Sequence, residues 1–335
     1  MTVSKHFKIN RRSLLQGATL ALGAAATGVA LTGSASAQGT RNTDTVRLGW
    51  GRGGLPLVAK QRGEFEKILA GEDIKVEWVG PFPNHAPSLQ AVVGGSADFG
   101  FWGSTTPALA GIIAGSPFVF TNFNVYTPRS TAIIVKKDSG IDSVADLVGK
   151  KVAVNRSGLG EFLLVAALEK NGVDRKDVEF VYLNPPDASP AFGQGRVDAW
   201  SMWTPAVDIA REQYDAKDIF FEGTDLDFLI DYSSLVTLRD FATNNSALVR
   251  AVIDAYHQEG QWISDNPLEA ETIAQKEGQY SDAVRDHLVA YKRQNKFYEA
   301  DDTGFLADFQ KAADWLAERS ILPERITVSD HVLRV

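Results

Sequence analysis

Val46-Arg47-Leu48-Gly49-Trp50-Gly51-Arg52-Gly53-Gly54-Leu55 reads as a β-strand that stops in a glycine-softened turn and opens a helix. The helical pattern runs on to Leu69, a strand follows at Ile74 to Val79, and a helix at His85 to Val93. Ala97 to Trp102 is a strand, Thr105 to Ala114 a helix, and Phe118 to Asn124 a strand. The cycle then restarts with strands at Thr131 to Lys136, Val152 to Val154, Glu179 to Tyr182 and Val197 to Ser201. Helical patterns at 142–147, 158–170, 188–194 and 205–214 separate them. After a strand at Ser233 to Leu238 the pattern is mostly helical. Strands alternating with helices of ten to fifteen residues predict an α/β fold with parallel-rich sheets flanked by helices.

The opening turn has an echo. Arg156-Ser157-Gly158-Leu159 follows the strand ending at Val154, as Arg52-Gly53-Gly54-Leu55 follows the one ending at Trp50. Farther on, Gly95-Ser96-Ala97-Asp98 leads to Thr106-Pro107-Ala108, and Gly195-Arg196-Val197-Asp198 leads to Thr204-Pro205-Ala206. Arg and Asp are 46 residues apart in one copy and 42 in the other. Both pairs, in one order at similar spacing, predict two similarly built lobes.

Ligands of open parallel sheets bind beyond the carboxyl ends of the strands. Glycine lets a backbone approach a ligand, and the first N–H groups of a helix have no internal partner. Those donors and the positive helix end favour an anion. Candidate contacts are therefore Arg52, Gly53 and Gly54, then Arg156, Ser157 and Gly158, and a third helix start at Gly103, Ser104 and Thr105. Ser104-Thr105 also reads as an ordinary N-cap. Trp102, Trp200 and Trp203 lie at or near strand ends; they wall a cleft or, for Trp102 and Trp200, belong to the core. His85, after Pro81-Phe82-Pro83, is either a donor to the anion or a capping or surface residue.

The first 37 residues read as an export signal. Lys5, Lys8, Arg11 and Arg12 form a positive head, Ala18 to Leu31 an apolar run, and Ala35-Ser36-Ala37 a small-x-small cleavage pattern. Asn10-Arg11-Arg12-Ser13-Leu14-Leu15-Gln16 resembles a twin-arginine signal. An apolar run of about 14 residues is short of the roughly 20 that a membrane span needs. Loss of this segment removes four basic and no acidic residues, taking the formal net charge from −8 to −12. So acidic a body argues against nucleic acid and anionic membrane surfaces as partners. It does not disfavour a small anion, whose pocket is set locally. Zero cysteines remove disulfides, thiolate metal sites and a cysteine nucleophile.

These segments resemble the periplasmic aliphatic sulfonate-binding proteins, within the nitrate/sulfonate/taurine group of ABC-transporter receptors. The markers are Leu48-Gly49-Trp50 with Leu57-Val58-Ala59-Lys60-Gln61, the run from Leu89 to Gly100, the run from Ser143 to Ala153, and Val197-Asp198-Ala199-Trp200-Ser201-Met202-Trp203-Thr204-Pro205. The resemblance implies a two-lobed, type II-like periplasmic-binding-protein clamshell with its ligand in the interlobe cleft. Lobe 1 would comprise 45–127 plus 231–335 and lobe 2 residues 128–230, hinged near Tyr126–Arg129 and Asp231–Tyr232. It further implies a monomer, without cofactor or metal, that hands a sulfonate-like anion to an inner-membrane permease. The family's binding positions fall on Arg52, Gly53, Gly54, Gly103, Ser104, Thr105, Arg156, Ser157, Gly158, Trp200 and Trp203. Where such binders tend to carry Lys-Gly-Ser-Ser, this chain has Arg156-Ser157-Gly158-Leu159; Thr204 replaces an acidic residue, and His85 a glycine. Two rivals stay open beside a third, a periplasmic sensor subunit that docks on a receptor rather than a permease. One is the same fold around a neutral heterocycle such as a thiamine precursor or flavin. The other is an enzyme of the aromatic sulfinate desulfinase branch, whose cysteine nucleophile this chain lacks.

Overall fold

The repeat seen in the sequence becomes two sheets once the strands are paired. The computed structural model describes residues 39–335, so the export-signal reading of residues 1–37 lies outside the described residues. The chain runs β1 (Thr45–Gly51), α1 (Gly54–Arg62), α2 (Glu64–Ala70), β2 (Lys75–Phe82), α3 (His85–Val93), β3 (Gly103–Ser104), α4 (Thr105–Ile113) and β4 (Phe118–Thr127). It continues through β5 (Ala132–Lys136), β6 (Lys151–Val154), α5 (Leu159–Lys170), β7 (Glu179–Tyr182), α6 (Pro185–Gly193), β8 (Ala199–Met202), α7 (Ala206–Gln213), β9 (Ala216–Phe221) and the single turn α8 (Glu222–Asp225). The last stretch is β10 (Ser233–Leu238), α9 (Arg239–Asn244), α10 (Ser246–Asp265), α11 (Pro267–Gly278), α12 (Asp282–Ala290), β11 (Gln294–Glu299) and α13 (Thr303–Glu318). The helix expected over 54–69 is two. Gly63, at φ 70°, sends its N–H back to Ala59 O and so closes α1, a left-handed turn that glycine takes without penalty.

In the first sheet β1 pairs in parallel with β2, and β4 lies between β10 and β11, both antiparallel to it. The predicted strand at 97–102 shrinks to one residue of pairing: Phe99 bridges Leu48 in parallel and Thr237 in antiparallel, joining the two groups of strands. The second sheet has the order β7-β6-β8-β5-β9, with β6 parallel to β7 and β8, and β5 antiparallel to β8 and β9. Pairing is therefore mixed, and the cause is traffic between the sheets. β4 leaves the first sheet and β10 returns to it, while β5 enters the second and β9 leaves, so each pair must run oppositely.

Helices cover both faces. Against the first sheet, Leu48, Phe65, Trp102, Leu235, Val252 and Tyr256 form a core with α1, α2 and α10, and Phe120, Phe123 and Phe309 form another with α4 and α13. The second sheet buries Ile133, Val152 and Leu163 on one face and Ile134, Phe192 and Trp200 on the other. The crossings between sheets are charged and dry. Arg129 Nε donates to Glu222 Oε1 at 3.0 Å with both side chains buried. No helix among the described residues is long and apolar enough to cross a membrane.

Candidate functional site: facing turns and buried donors

Strand direction places the predicted turns. β1, the 99–104 segment and β4 all point their carboxyl ends the same way, because the segment is parallel to β1 and β10 is antiparallel to both β3 and β4. That edge of the first sheet carries Arg52–Gly54, Ser104–Thr105 and the end of β4. Opposite it lie the turns after β7, β6 and β8. Asn84 Nδ2 donates to Asn184 Oδ1 at 2.8 Å across the gap, and a methyl group built on Gly53 would sit 3.9 Å from Pro205 Cδ. The Arg156 turn follows β6, between the Asn184 and Pro205 turns in sheet order. Both arginine-bearing turns thus stand on facing rims.

Their side chains are used differently. Arg52 Nη1 meets Glu277 Oε1 on α11 at 2.6 Å, and 65% of the arginine side chain is exposed. Gly54 has φ 72°, and no side chain caps α1, so its first-turn N–H groups face the gap without an internal acceptor. On the other rim the Arg156 guanidinium lies 3.8 Å from the centre of the Tyr182 ring. Ser157, at φ 52°, donates its N–H to Glu161 Oε2 at 2.7 Å, and Gly160 N donates to Asn155 Oδ1. Glu161 is buried and also accepts from Arg175 Nη2 and the Tyr182 hydroxyl, each at 2.8 Å. Gly158 is required by packing: a Cβ there would overlap the Asn155 side chain at 1.6 Å. Two of the donors expected to meet an anion at the start of α5, the N–H groups of Ser157 and Gly160, are therefore already taken by Glu161 and Asn155.

The third helix start is occupied at Thr105, while the buried Ser104 hydroxyl has no partner among the described residues. Thr105 N and Oγ1 both donate to Asp231 Oδ1, at 3.0 and 2.8 Å, so a carboxylate from the returning crossing caps α4. Burial pushes the Asp231 carboxyl up, opposed by neighbouring hydroxyls and by Arg129. Gly103 is glycine because the His85 ring packs on it, leaving 2.4 Å to His85 Cγ for any added Cβ. His85 begins α3 but turns inward, 3% exposed, and its Nδ1 donates to Ser104 O at 2.7 Å. The carbonyl can only accept, so Nε2 is the bare nitrogen of a neutral ring. Burial drives this imidazole down to about 4. Asn84, not His85, caps the helix by accepting from Ala86 N. His85 is thus neither the donor to an anion nor the surface residue considered from sequence.

The tryptophans divide. Trp200 is 2% exposed, packs near Phe192 and belongs to the core, which removes it from the cleft wall. Trp203 is half-buried beside the Pro205 turn. Trp102 is 6% exposed, edge-on to Tyr256 and Phe297, yet its Nε1–H has no partner among the described residues. Two residues near it escaped the sequence reading. Asn122 and Asn124 on β4 are buried, and the Nδ2 of each lacks a partner among the described residues. The signal was present in Asn122-Phe123-Asn124-Val125, where polar residues alternate with apolar ones at the carboxyl end of a central strand. No group of three or more His, Asp or Glu among the described residues could hold a metal ion.

Known proteins resemble this chain in sequence and in fold. A protein of Escherichia coli (strain K12) provisionally named aliphatic sulfonates-binding protein is 32% identical over 216 residues, 64% of this chain and 66% of that protein. One of the same provisional name from Bacillus subtilis (strain 168) is 33% identical over 51% of each chain. This chain thus matches less than two thirds of the length of either relative. The alkanesulfonate-binding protein SsuA from Xanthomonas axonopodis pv. citri, solved bound to MOPS, superposes with a TM-score of 0.80 at 25% identity, covering 88% of this chain and 99% of that one. The NMT1/THI5-like family matches residues 56–270, well over half of the sequence, and the chain belongs to that family.

Proposed function

We propose that this chain is a non-catalytic solute-binding protein that captures a small organosulfonate between two lobes and delivers it to an ABC importer. On this reading the protein works in the periplasm as a monomer, exported by its cleaved, twin-arginine-type N-terminal segment. Lobe 1 is 45–127 with 231–335, lobe 2 is 128–230, and the crossings near Tyr126–Arg129 and Asp231–Tyr232 are the hinge. The observation that carries the proposal is the pair of facing rims, in hydrogen-bond contact at Asn84–Asn184, each presenting an arginine turn. The names of the relatives support the sulfonate. A sulfonate offers three acceptor oxygens and no proton, which suits uncapped N–H groups at α1 and the Arg156 guanidinium. Closure on it would stabilise the folded state by RT ln(1 + [L]/Kd).

The test is a thermal-shift screen of the purified protein against taurine, ethanesulfonate, longer alkanesulfonates, arylsulfonates, sulfate, nitrate and thiamine precursors. The expected result is a rise in melting temperature that grows with the logarithm of sulfonate concentration. A shift with a thiamine precursor alone would replace the reading with the neutral-heterocycle one.

A further inference from the structure

Three cross-strand positions line one row at the hinge edge of the first sheet: Ser104 pairs with Ser233, and Ser233 with Asn124. Trp102 lies on the α10 side, its ring edge-on to Tyr256 of α10 and to Phe297, the residue paired with Asn124. Phe123 and Val125 point to the α13 side, where Phe123 lies 4.6 Å from Phe305, so Asn124 points to the opposite, α10 side. Asn122 confirms that side by meeting His257 of α10 at 2.9 Å. α1 packs on α10 as well, so its uncapped start and the Asn124 amide share both the edge and the face.

Burying an amide or indole N–H without a partner costs about 1–3 kcal/mol, and native proteins rarely tolerate it. Here three such groups, Trp102 Nε1–H, Asn122 Nδ2 and Asn124 Nδ2, lie on the α10 side of the first sheet, in residues 6%, 0% and 4% exposed. The indole nitrogen can only donate, so exchanging donor and acceptor roles cannot satisfy it. The nearest carboxylate of the crossings, Asp231, is already engaged by Thr105. His85 Nε2, a bare acceptor of this half, lies against Gly100, deeper along the strand.

We infer that Asn124 and Trp102 form an uncharged donor subsite that takes an oxygen of the bound oxyanion, making Asn124 a specificity-determining residue. The inference rests on the solute-binding reading above and deepens it: the arginine rim attracts the anion, and the neutral donors in the first sheet hold it. A negative side chain at position 124 would face the ligand's charge directly, whereas an apolar one of equal size would only remove the hydrogen bond.

The experiment is calorimetric titration of taurine and ethanesulfonate into the wild type and the variants Asn124→Asp, Asn124→Leu and Trp102→Phe, with melting temperatures measured in parallel. Asn124→Asp is expected to weaken binding by more than about a hundredfold, and the other two by about tenfold, the size of one charge-assisted hydrogen bond. Asn124→Leu should melt no lower than wild type, because it removes an unsatisfied donor. Wild-type affinity in Asn124→Asp, or in Trp102→Phe, overturns the subsite. Trp102→Phe keeps the ring between Tyr256 and Phe297, so it carries the test even where the Asn124 variants fail to fold. A wild type that binds sulfate or nitrate but neither sulfonate overturns the organosulfonate reading alone, since the same variants then test the subsite against that ion.

Discussion

The turn at Arg52 and the turn at Arg156 look like copies in sequence, yet they divide one task between them. In the first, the backbone is open and the charge is spent: α1 starts without a side-chain cap, and Glu277 neutralises Arg52. In the second the reverse holds. Glu161 and Asn155 take the N–H groups of Ser157 and Gly160, while Arg156 lies on a tyrosine face with its charge unopposed by any ion pair among the described residues. Repetition of a motif therefore conserves where the chain turns, and the residues around it decide whether backbone or side chain meets the ligand.

The strongest way to break this contrast is to remove the brace of the second turn. Glu161 is 4% exposed and holds Ser157 N, Arg175 and Tyr182 together. Glu161→Ala leaves all three without their acceptor and should destabilise the protein by about 3 kcal/mol, read as a lower urea midpoint. It should also free Tyr182, and with it Arg156. An unchanged midpoint would mean that the second turn holds itself.

Acid should act on the first rim instead. His85 titrates near 4 when folded and about 6.5 when unfolded. Between those values the unfolded chain binds a proton that the folded chain does not, so stability falls as pH drops from 6.5 to 4, by up to about 3 kcal/mol. His85→Gln should remove that slope. Urea midpoints of the two proteins at pH 7, 5.5 and 4.5 measure it, the carboxylate contributions cancelling in the difference.

Much of this arrangement was legible from residues alone, because turns and strand ends are written locally. The echo placed both arginine turns, and the alternation placed the helices around them. What was not legible depends on distant neighbours. Asp231 caps α4 from 126 residues away, and no local pattern at Ser104–Thr105 distinguishes that acceptor from a ligand. Gly103 and His85 explain each other only once packed. β9 and β11 went unseen because both are edge strands; Lys217, Asp218, Lys296 and Glu299 interrupt their apolar pattern, as charges on sheet edges commonly do. Trp200 sits at a strand end, and only the partner Phe192 tells that it faces inward.

Charge gives the finer tests. Arg156→Ala should weaken sulfonate binding by about tenfold to a hundredfold, the range for a charge-assisted hydrogen bond. Arg52→Ala should do less, because Glu277 already offsets that guanidinium. Equal losses would erase the proposed division between the turns. The smallest effect should come from Glu277→Gln, which leaves Arg52 in place and removes its counter-charge. The pair is largely exposed on the arginine side, where an ion pair contributes at most about 1 kcal/mol. Freed of it, Arg52 should tighten binding by no more than about fivefold, and that gain should shrink as salt is raised, since screening dominates at such exposure. Titration at two ionic strengths decides the matter. A gain that survives high salt would place Arg52 in direct contact with the ligand, and the first turn would then hold its anion through charge as well as backbone.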